Sequence, residues 1–251
     1  MEHLFQEKYY LFYLLAFLVE VLGTVSGFGS SILFVPIASY FFDFHTVLGI
    51  TALFHVFSNI SKMVLFREGI NLHLVKTMGI SATLSVIVGA VLSKYAPVKE
   101  LEFLLSLFML GLSLYLLTGR QNHLKETNAN LIIGGSLSGF IAGLVGTGGA
   151  IRGITLSAFN LNKQTFISTS AIIDMGVDSS RLGVYILNGF LKQEFLYFIP
   201  ILILISIGGS WTGKKALEYI SESIFKKIVL GLIFLLATIQ IVTYSYSYFK
   251  T

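Results

Sequence analysis

The chain has 251 residues, 55% of them hydrophobic and 12% charged, with a formal net charge of +4 and a mean hydropathy of +0.81. A soluble domain carries about 25% charged residues, so this composition excludes an ordinary water-soluble globule. The basic residues sit near the ends of apolar stretches rather than on one clustered face, which suits a membrane and not a nucleic acid; the absence of cysteine excludes disulfides and thiolate metal sites.

Lys8 is the only basic residue before the first apolar run, and no small-residue cleavage site follows, so that run is expected to be a retained membrane segment. Apolar stretches cover 9–26, 31–42, 46–66, 72–93 and 101–118. A second series covers 131–145, 150–161, 165–187, 195–213 and 224–248. Crossing a bilayer core takes roughly 20 helical residues, so 31–42 and 150–161 are too short to cross alone. The polar run 119–130 is the expected connector between a first transmembrane repeat, 1–118, and a second, 131–251.

The two series are related. Gly27-Phe28-Gly29-Ser30-Ser31-Ile32 recurs as Gly146-Thr147-Gly148-Gly149-Ala150-Ile151, 119 positions later. At the same offset His55, Asn59 and Lys62 become Asp174, Asp178 and Arg181, while Thr46 and Ala52 fall on Thr165 and Ala171. After one inserted residue, Gly69, Gly89, Lys94 and Gly111 fall on Gly189, Gly209, Lys214 and Gly231. Internal repeats of this kind are common in transporters. The expected fold is an all-α polytopic membrane protein of two homologous halves, each with a glycine-broken or re-entrant helical element followed by three long transmembrane helices.

If each broken element crosses once, the repeats are parallel; if it dips in and returns, they are inverted. In the parallel arrangement lysine and arginine divide evenly between the two sides. In the inverted one Lys8, Lys94, Lys99, Lys192 and Lys250 face Arg67, Lys76, Arg120, Lys125, Lys163, Lys214, Lys215, Lys226 and Lys227. Only the second gives a charge bias, so inverted repeats with both termini outside are expected.

Gly-x-Gly between apolar helices lets the backbone leave helical geometry. The amides opening the next half-helix then face the break, an end that favours anions. Ser30 and Ser31 supply hydroxyls in the first copy and Thr147 in the second. Pro36 lies inside the following half-helix, where it adds a kink. Gly23, Gly139 and Gly143 are read as packing positions. Arg152, just past Gly148-Gly149, is the best candidate for direct anion contact, with an ion pair to Glu20 as the alternative.

These residues resemble the sulfite exporter TauE/SafE family of membrane permeases. The family's Gly-x-Gly-Gly-Gly followed by an apolar run and proline stands here as Gly27-Phe28-Gly29-Ser30-Ser31 through Pro36, and as Gly146-Thr147-Gly148-Gly149-Ala150. Its small-residue stretch matches Gly49-Ile50-Thr51-Ala52 and Ser168-Thr169-Ser170-Ala171. The resemblance runs from about residue 12 to 245. It implies proton-coupled transport of sulfite, sulfoacetate or related sulfonates. The chain departs from the pattern at Ser30 and Ser31, at Thr155 where the family often has proline, and at Arg152 where it is usually apolar.

His55, Asn59 and Lys62 share one helix face, as do Asp174, Asp178 and Arg181. At about 1.5 Å per residue from Thr46 or Thr165, His55 and Asp174 lie near mid-depth and the two cations roughly 24 Å in. Ionisable groups at such depth mark function by default. His55 and Asp174 form the expected proton-responsive pair, with Asp178 beside them; Asn59, Lys62 and Arg181 are assigned to gating or charge pairing. The blander alternatives are snorkelling of Lys62 and Arg181, an Asp178–Arg181 pair, and a His55 bonded to a backbone carbonyl. Asn160, Asn162 and Lys163 are expected in a surface turn.

The substrate-binding set is therefore Gly27, Gly29, Ser30, Ser31, Gly146, Thr147, Gly148, Gly149 and Arg152. No catalytic constellation, metal spacing or nucleotide loop is present in the sequence, so no enzymatic activity, metal or cofactor is expected. The leading expectation is a secondary transporter of a small anion in the cytoplasmic membrane, working by alternating access. The alternatives are an anion channel using the same central site and a membrane-embedded scaffold subunit. Expected partners are the anion and the lipid bilayer, without nucleic acid; a homodimer is left open.

Overall fold

The computed structural model describes residues 7–26, 29–67, 69–117, 125–159 and 161–219, together with positions 231, 234, 238, 241 and 242. Among these residues the regular structure is helical throughout. The helices are α1 (Glu7–Ser26), α2 (Ser31–Ala38), α3 (Phe44–Leu65), α4 (Leu72–Leu92) and α5 (Val98–Leu117) in the first half. They are α6 (Asn128–Val145), α7 (Gly149–Ser157), α8 (Lys163–Leu187) and α9 (Ile199–Ala216) in the second, with a 3-10 turn over Gln193–Phe198 leading into α9.

Segments Tyr9–Ser26, Phe44–Leu65, Leu72–Leu92, Asn128–Val145 and Phe195–Ala216 are long and apolar enough to cross a bilayer. Leu84, Val88, Ile133, Leu137, Leu204 and Trp211 point outward from them, as lipid-facing side chains do. The architecture is that of an all-α polytopic membrane protein. Residue 118, residues 119–124 of the connector, most of the last apolar stretch and Asn160 lie outside the described residues.

The repeat is visible in helix caps as well as in glycines. Asp43 caps α3 by accepting from the Thr46 amide at 3.1 Å, and Asn162 caps α8 by accepting from the Thr165 amide at 2.8 Å. Each cap satisfies an amide that has no partner inside the helix. The positive-φ turns that follow, Gly69 at 79° after α3 and Gly189 at 76° after α8, also correspond.

Both short helices turn back along the helix before them. On the first side, Gly23 of α1 abuts Ser30 so closely that a Cβ would overlap it, and Phe12 packs against Phe34, Phe41 and Phe42 at ring separations of 5.0–5.9 Å. On the second, Gly148 abuts Ser138 while Thr155, at the far end of α7, abuts Gly134. Each broken element is thus a helical hairpin, with its turn at the glycine cluster.

The halves interlock through small residues. α4 lies alongside α6 in the same direction, with Gly135 on Met78, Gly139 on Ala82, and Gly143 on Val86 and Ala90. α9 lies alongside α1 in the same direction, with Gly209 on Glu20 and Gly213 on Thr24. Van der Waals contact between backbones replaces the hydrophobic effect as the force between helices in lipid, so these glycines are packing devices, Gly139 and Gly143 among them. α3 and α8 run in opposite directions: the turn after α3 meets the start of α8 (Asn71 amide to Thr169 Oγ1, 3.1 Å), and Phe190 after α8 stacks on His45 at the start of α3 (4.2 Å).

Candidate functional site

The tips of the two hairpins meet. Ser31 Oγ lies 3.2 Å from Thr147 Oγ1, a contact between residues 116 positions apart. Gly29, at φ 82°, and Gly146, at φ 84°, turn the chain at the two tips in the left-handed region that glycine occupies without penalty. A Cβ on Gly29 would stand 3.8 Å from Arg152 Nη2 and 3.9 Å from Gly149 Cα. Ser30 is the N-cap of α2 and Gly148 that of α7, so both helices present their first amides towards this junction. Gly27 and Phe28 lie outside the described residues.

Beside the first tip is a buried carboxylate. Glu20, fully buried on α1, receives Ser30 Oγ on Oε2 at 2.6 Å. Its Oε1 receives Ser58 at 2.5 Å, Ser210 at 2.9 Å and Thr24 at 3.3 Å. Lys62 Nζ completes an ion pair at 2.9 Å and donates to Ser58 Oγ at 2.8 Å. A buried charge without such company would be prohibitively costly. His55 joins the same network, with Nε2 2.9 Å from Ser30 Oγ and Nδ1 2.7 Å from the Thr51 carbonyl oxygen.

Beside the second tip the charges are rearranged. Arg152 Nη1 and Nη2 both engage the Asp174 carboxylate, the latter at 2.5 Å, and Arg152 Nε donates to Ser170 Oγ at 3.1 Å. The Asp174 side chain is 16% exposed against 3% for Arg152, so the carboxylate is the more open partner. Asp178 receives Arg181 Nε at 2.8 Å and Nη2 at 2.7 Å. Arg181 Nη1 also donates to the Gly146 carbonyl at 2.7 Å, and Tyr185 Oη to that of Gly143 at 2.7 Å, so both hold the last carbonyls of α6 at the tip.

The centre is marked by equivalent residues in contact. Asn59 Nδ2 donates to Asp178 Oδ2 at 2.7 Å, and the two positions are 119 apart, the offset of the repeat itself.

The structure therefore gathers Gly29, Ser30, Ser31, Gly146, Thr147, Gly148, Gly149 and Arg152 at one junction, with His55, Asn59, Asp174 and Asp178 around it. It does not join His55 to Asp174: His55 is held by Ser30 and Thr51, and Asp174 by Arg152. Arg152 pairs with Asp174 rather than with Glu20. Lys62 and Arg181 are buried inside the protein in ion pairs, with no snorkelling. Asn162 caps α8 and Lys163 opens it. Sequence reasoning gave Glu20 only as a partner for Arg152 and passed over Ser58, Ser170, Tyr185 and Ser210. A carboxylate within the apolar run 9–26 requires a cation, and that was the available signal for Glu20; the hydroxyls carried none, because serine is tolerated at close helix contacts.

Fold and site together define a multi-pass membrane permease. Residues 12–239 match the family described as Sulfite exporter TauE/SafE, and the chain belongs to that family. It is 28% identical over 231 residues to a protein of Methanocaldococcus jannaschii named as a probable membrane transporter protein, covering 83% of this chain and 85% of that one. No solved structure matches it.

Proposed function

We propose that this protein is a secondary transporter, without enzymatic activity, that moves a small sulfur-containing or organic anion such as sulfite or a sulfonate across the cytoplasmic membrane. The meeting of two hairpin tips beside buried Arg152 carries this reading. Two sets of helix-start amides, the hydroxyls of Ser30, Ser31 and Thr147, and a guanidinium together form an oxyanion cradle in a water-poor setting. Asp174 already sits on Arg152, so it acts as the resident anion that the substrate displaces, and its greater exposure suits that role.

Alternating access follows from inverted repeats with both termini outside. Three observations support the inversion: each broken element is a returning hairpin, α3 opposes its counterpart α8, and α4 and α9 each pack on the other half's hairpin. Rocking one half against the other would expose the junction to each side in turn. His55, Asp174 and Asp178, each within one residue's reach of the junction or of Arg152, couple occupancy to protons. Asn59, Lys62 and Arg181 hold the closed arrangement by pairing.

Purified protein in proteoliposomes, tested against sulfite, sulfoacetate, acetate and sulfate under an imposed pH gradient, checks this. Saturable, gradient-driven uptake of one anion, lost in Arg152→Gln, is the expected result. Large unitary currents would replace the carrier with a channel, and no flux with any anion would overturn transport by this site.

A further inference from the structure

Ser30 has one hydroxyl proton and two neighbours that both require it. Its Oγ is 2.6 Å from Glu20 Oε2 and 2.9 Å from His55 Nε2. The other ring nitrogen, Nδ1, lies 2.7 Å from the Thr51 carbonyl oxygen. A carbonyl only accepts, so Nδ1 carries hydrogen. With His55 neutral, Nε2 is then a bare acceptor; with Glu20 ionised, Oε2 is too. In that combination Ser30 bonds to one of them and faces the other lone pair to lone pair. Both contacts are hydrogen bonds only when the group holds one more proton.

We infer that Glu20, Ser30 and His55 form a single proton-binding site at the tip of the first hairpin, loaded with one proton in this structure. The proton has two placements. With imidazolium, His55 Nε2–H donates to Ser30 Oγ and Ser30 O–H donates to Glu20. With a neutral carboxyl group, Glu20 O–H donates to Ser30 Oγ and Ser30 O–H donates to His55 Nε2. A concerted shift of two protons along the two bonds converts one into the other, and no charge or atom is lost. Removing the extra proton breaks one of the two bonds at Ser30, which stands at the N-cap position of α2.

The charged and titratable groups around the site are few. Lys62 of α3 pairs with Glu20. Asp178 and Arg181 of α8 act on His55 and neutralise each other. The other described contacts to Glu20 are hydroxyls, Thr24 of α1, Ser58 of α3 and Ser210 of α9, while Phe34 and Phe54 stand edge-on to the His55 ring. Glu20, Lys62 and His55 therefore sum to one positive charge when loaded and to zero when empty. An anion at the α2 amides is attracted to the loaded state and repelled by the bare carboxylate. By reciprocity it favours loading in turn. The second half has no such relay, since Gly139 and Gly149 stand at the positions equivalent to Glu20 and Ser30.

What the proton is coupled to rests on the transport reading above, so the test has two arms. The first uses the reconstituted full chain with no added anion, in pH-step infrared difference spectra. Wild type is expected to show one titration in which carboxyl and imidazole bands change together. Ser30→Ala should split it into two separate titrations, and Glu20→Gln should remove the carboxyl band. Spectra that Ser30→Ala leaves unchanged would overturn the site, and that variant keeps the test in place if Glu20→Gln does not fold. The second arm measures sulfite uptake with and without a pH gradient, where the stimulation ratio should fall to onefold in Glu20→Gln; a retained ratio would overturn the coupling. If wild type moves no sulfite, sulfite alone is excluded and the uptake arm uses whichever anion of the panel wild type moves; the infrared arm decides the proton site in either case.

Discussion

In the first half a carboxylate precedes the break, Glu20 on α1, and a lysine of α3 answers it; in the second an arginine follows the break, Arg152 on α7, and a carboxylate of α8 answers it. Gly139 stands at the position equivalent to Glu20, where it lets α6 touch Ala82, and Leu33 stands at that of Arg152. The same substitution leaves its mark on hydroxyls: Ser170 receives Arg152 Nε, whereas its counterpart Thr51 has a buried Oγ1 with no hydrogen-bond partner among the described residues. The two stretches share matched caps and positive-φ turns and differ in where their charged groups stand. An acidic, hydroxyl-lined site suits protons and a guanidinium suits anions.

The sharpest way to break this comparison is to remove one cation from each half. Arg152→Met strands Asp174, and losing one partner of a buried pair costs about 3–5 kcal/mol. Thermal unfolding in detergent should show the loss, and Arg152→Met with Asp174→Leu should recover most of it without recovering sulfite uptake. Lys62→Met leaves Glu20 with four hydroxyl neighbours, so its loss should fall at the low end of that range, about 3 kcal/mol. Equal destabilisation by the two substitutions would mean that the hydroxyls do not sustain the carboxylate.

Glycine packing offers a second contrast. A Cβ at Gly139 runs into the Ala82 backbone, whereas at Gly209 it meets the Glu20 side chain. Gly139→Ala should destabilise by about 1–3 kcal/mol, and Gly209→Ala should do so as well and also disturb the Glu20 network, because the new atom meets the Cβ and Cγ of Glu20 at 2.8 Å. Gly183→Ala in α8 has nothing within 4 Å of the new atom and should be neutral or gain about 0.5–1 kcal/mol from helix propensity.

The smallest effects concern the matched caps. Asp43→Ala and Asn162→Ala should each cost about 1 kcal/mol. Only the first cap titrates. Burial pushes the Asp43 carboxyl up, but the Thr46 hydroxyl and amide and the Lys192 ammonium outweigh it and hold the group below its ordinary value. Its stabilising share is complete above the unfolded value of about 3.9 and is lost as pH falls through the lower folded one. Unfolding curves of the Asp43→Asn variant should therefore lose part of the wild type's acid sensitivity. Unchanged acid sensitivity would remove Asp43 from the account.

Much of this architecture was legible in the residues. The apolar runs 9–26, 46–66 and 72–93 became α1, α3 and α4 within a residue or two, because in lipid a helix must satisfy its own backbone. The short runs after the glycines became α2 and α7 for the same reason, and the repeated glycines marked the turns because no other residue takes that conformation cheaply. The family resemblance rested on those same glycines. Charge partners were less legible. The i,i+3 pair Asp178–Arg181 could be read from spacing, but Glu20–Lys62 and Arg152–Asp174 join different helices.

The sequence alone determined that the chain is a helical membrane protein with a glycine pattern recurring at an offset of 119, at residues 27–31 and 146–150, and which polar groups must be reconciled with an apolar setting. Periodicity, glycine and the cost of charge in lipid act locally and leave their marks in order along the chain. The tertiary structure decided that α2 and α7 fold back, that the two tips touch, and that His55 is bridged to Glu20 through Ser30 and not joined to Asp174. Those outcomes depend on which helices lie side by side and at what rotation, and that is set by the summed packing of many residues from both halves.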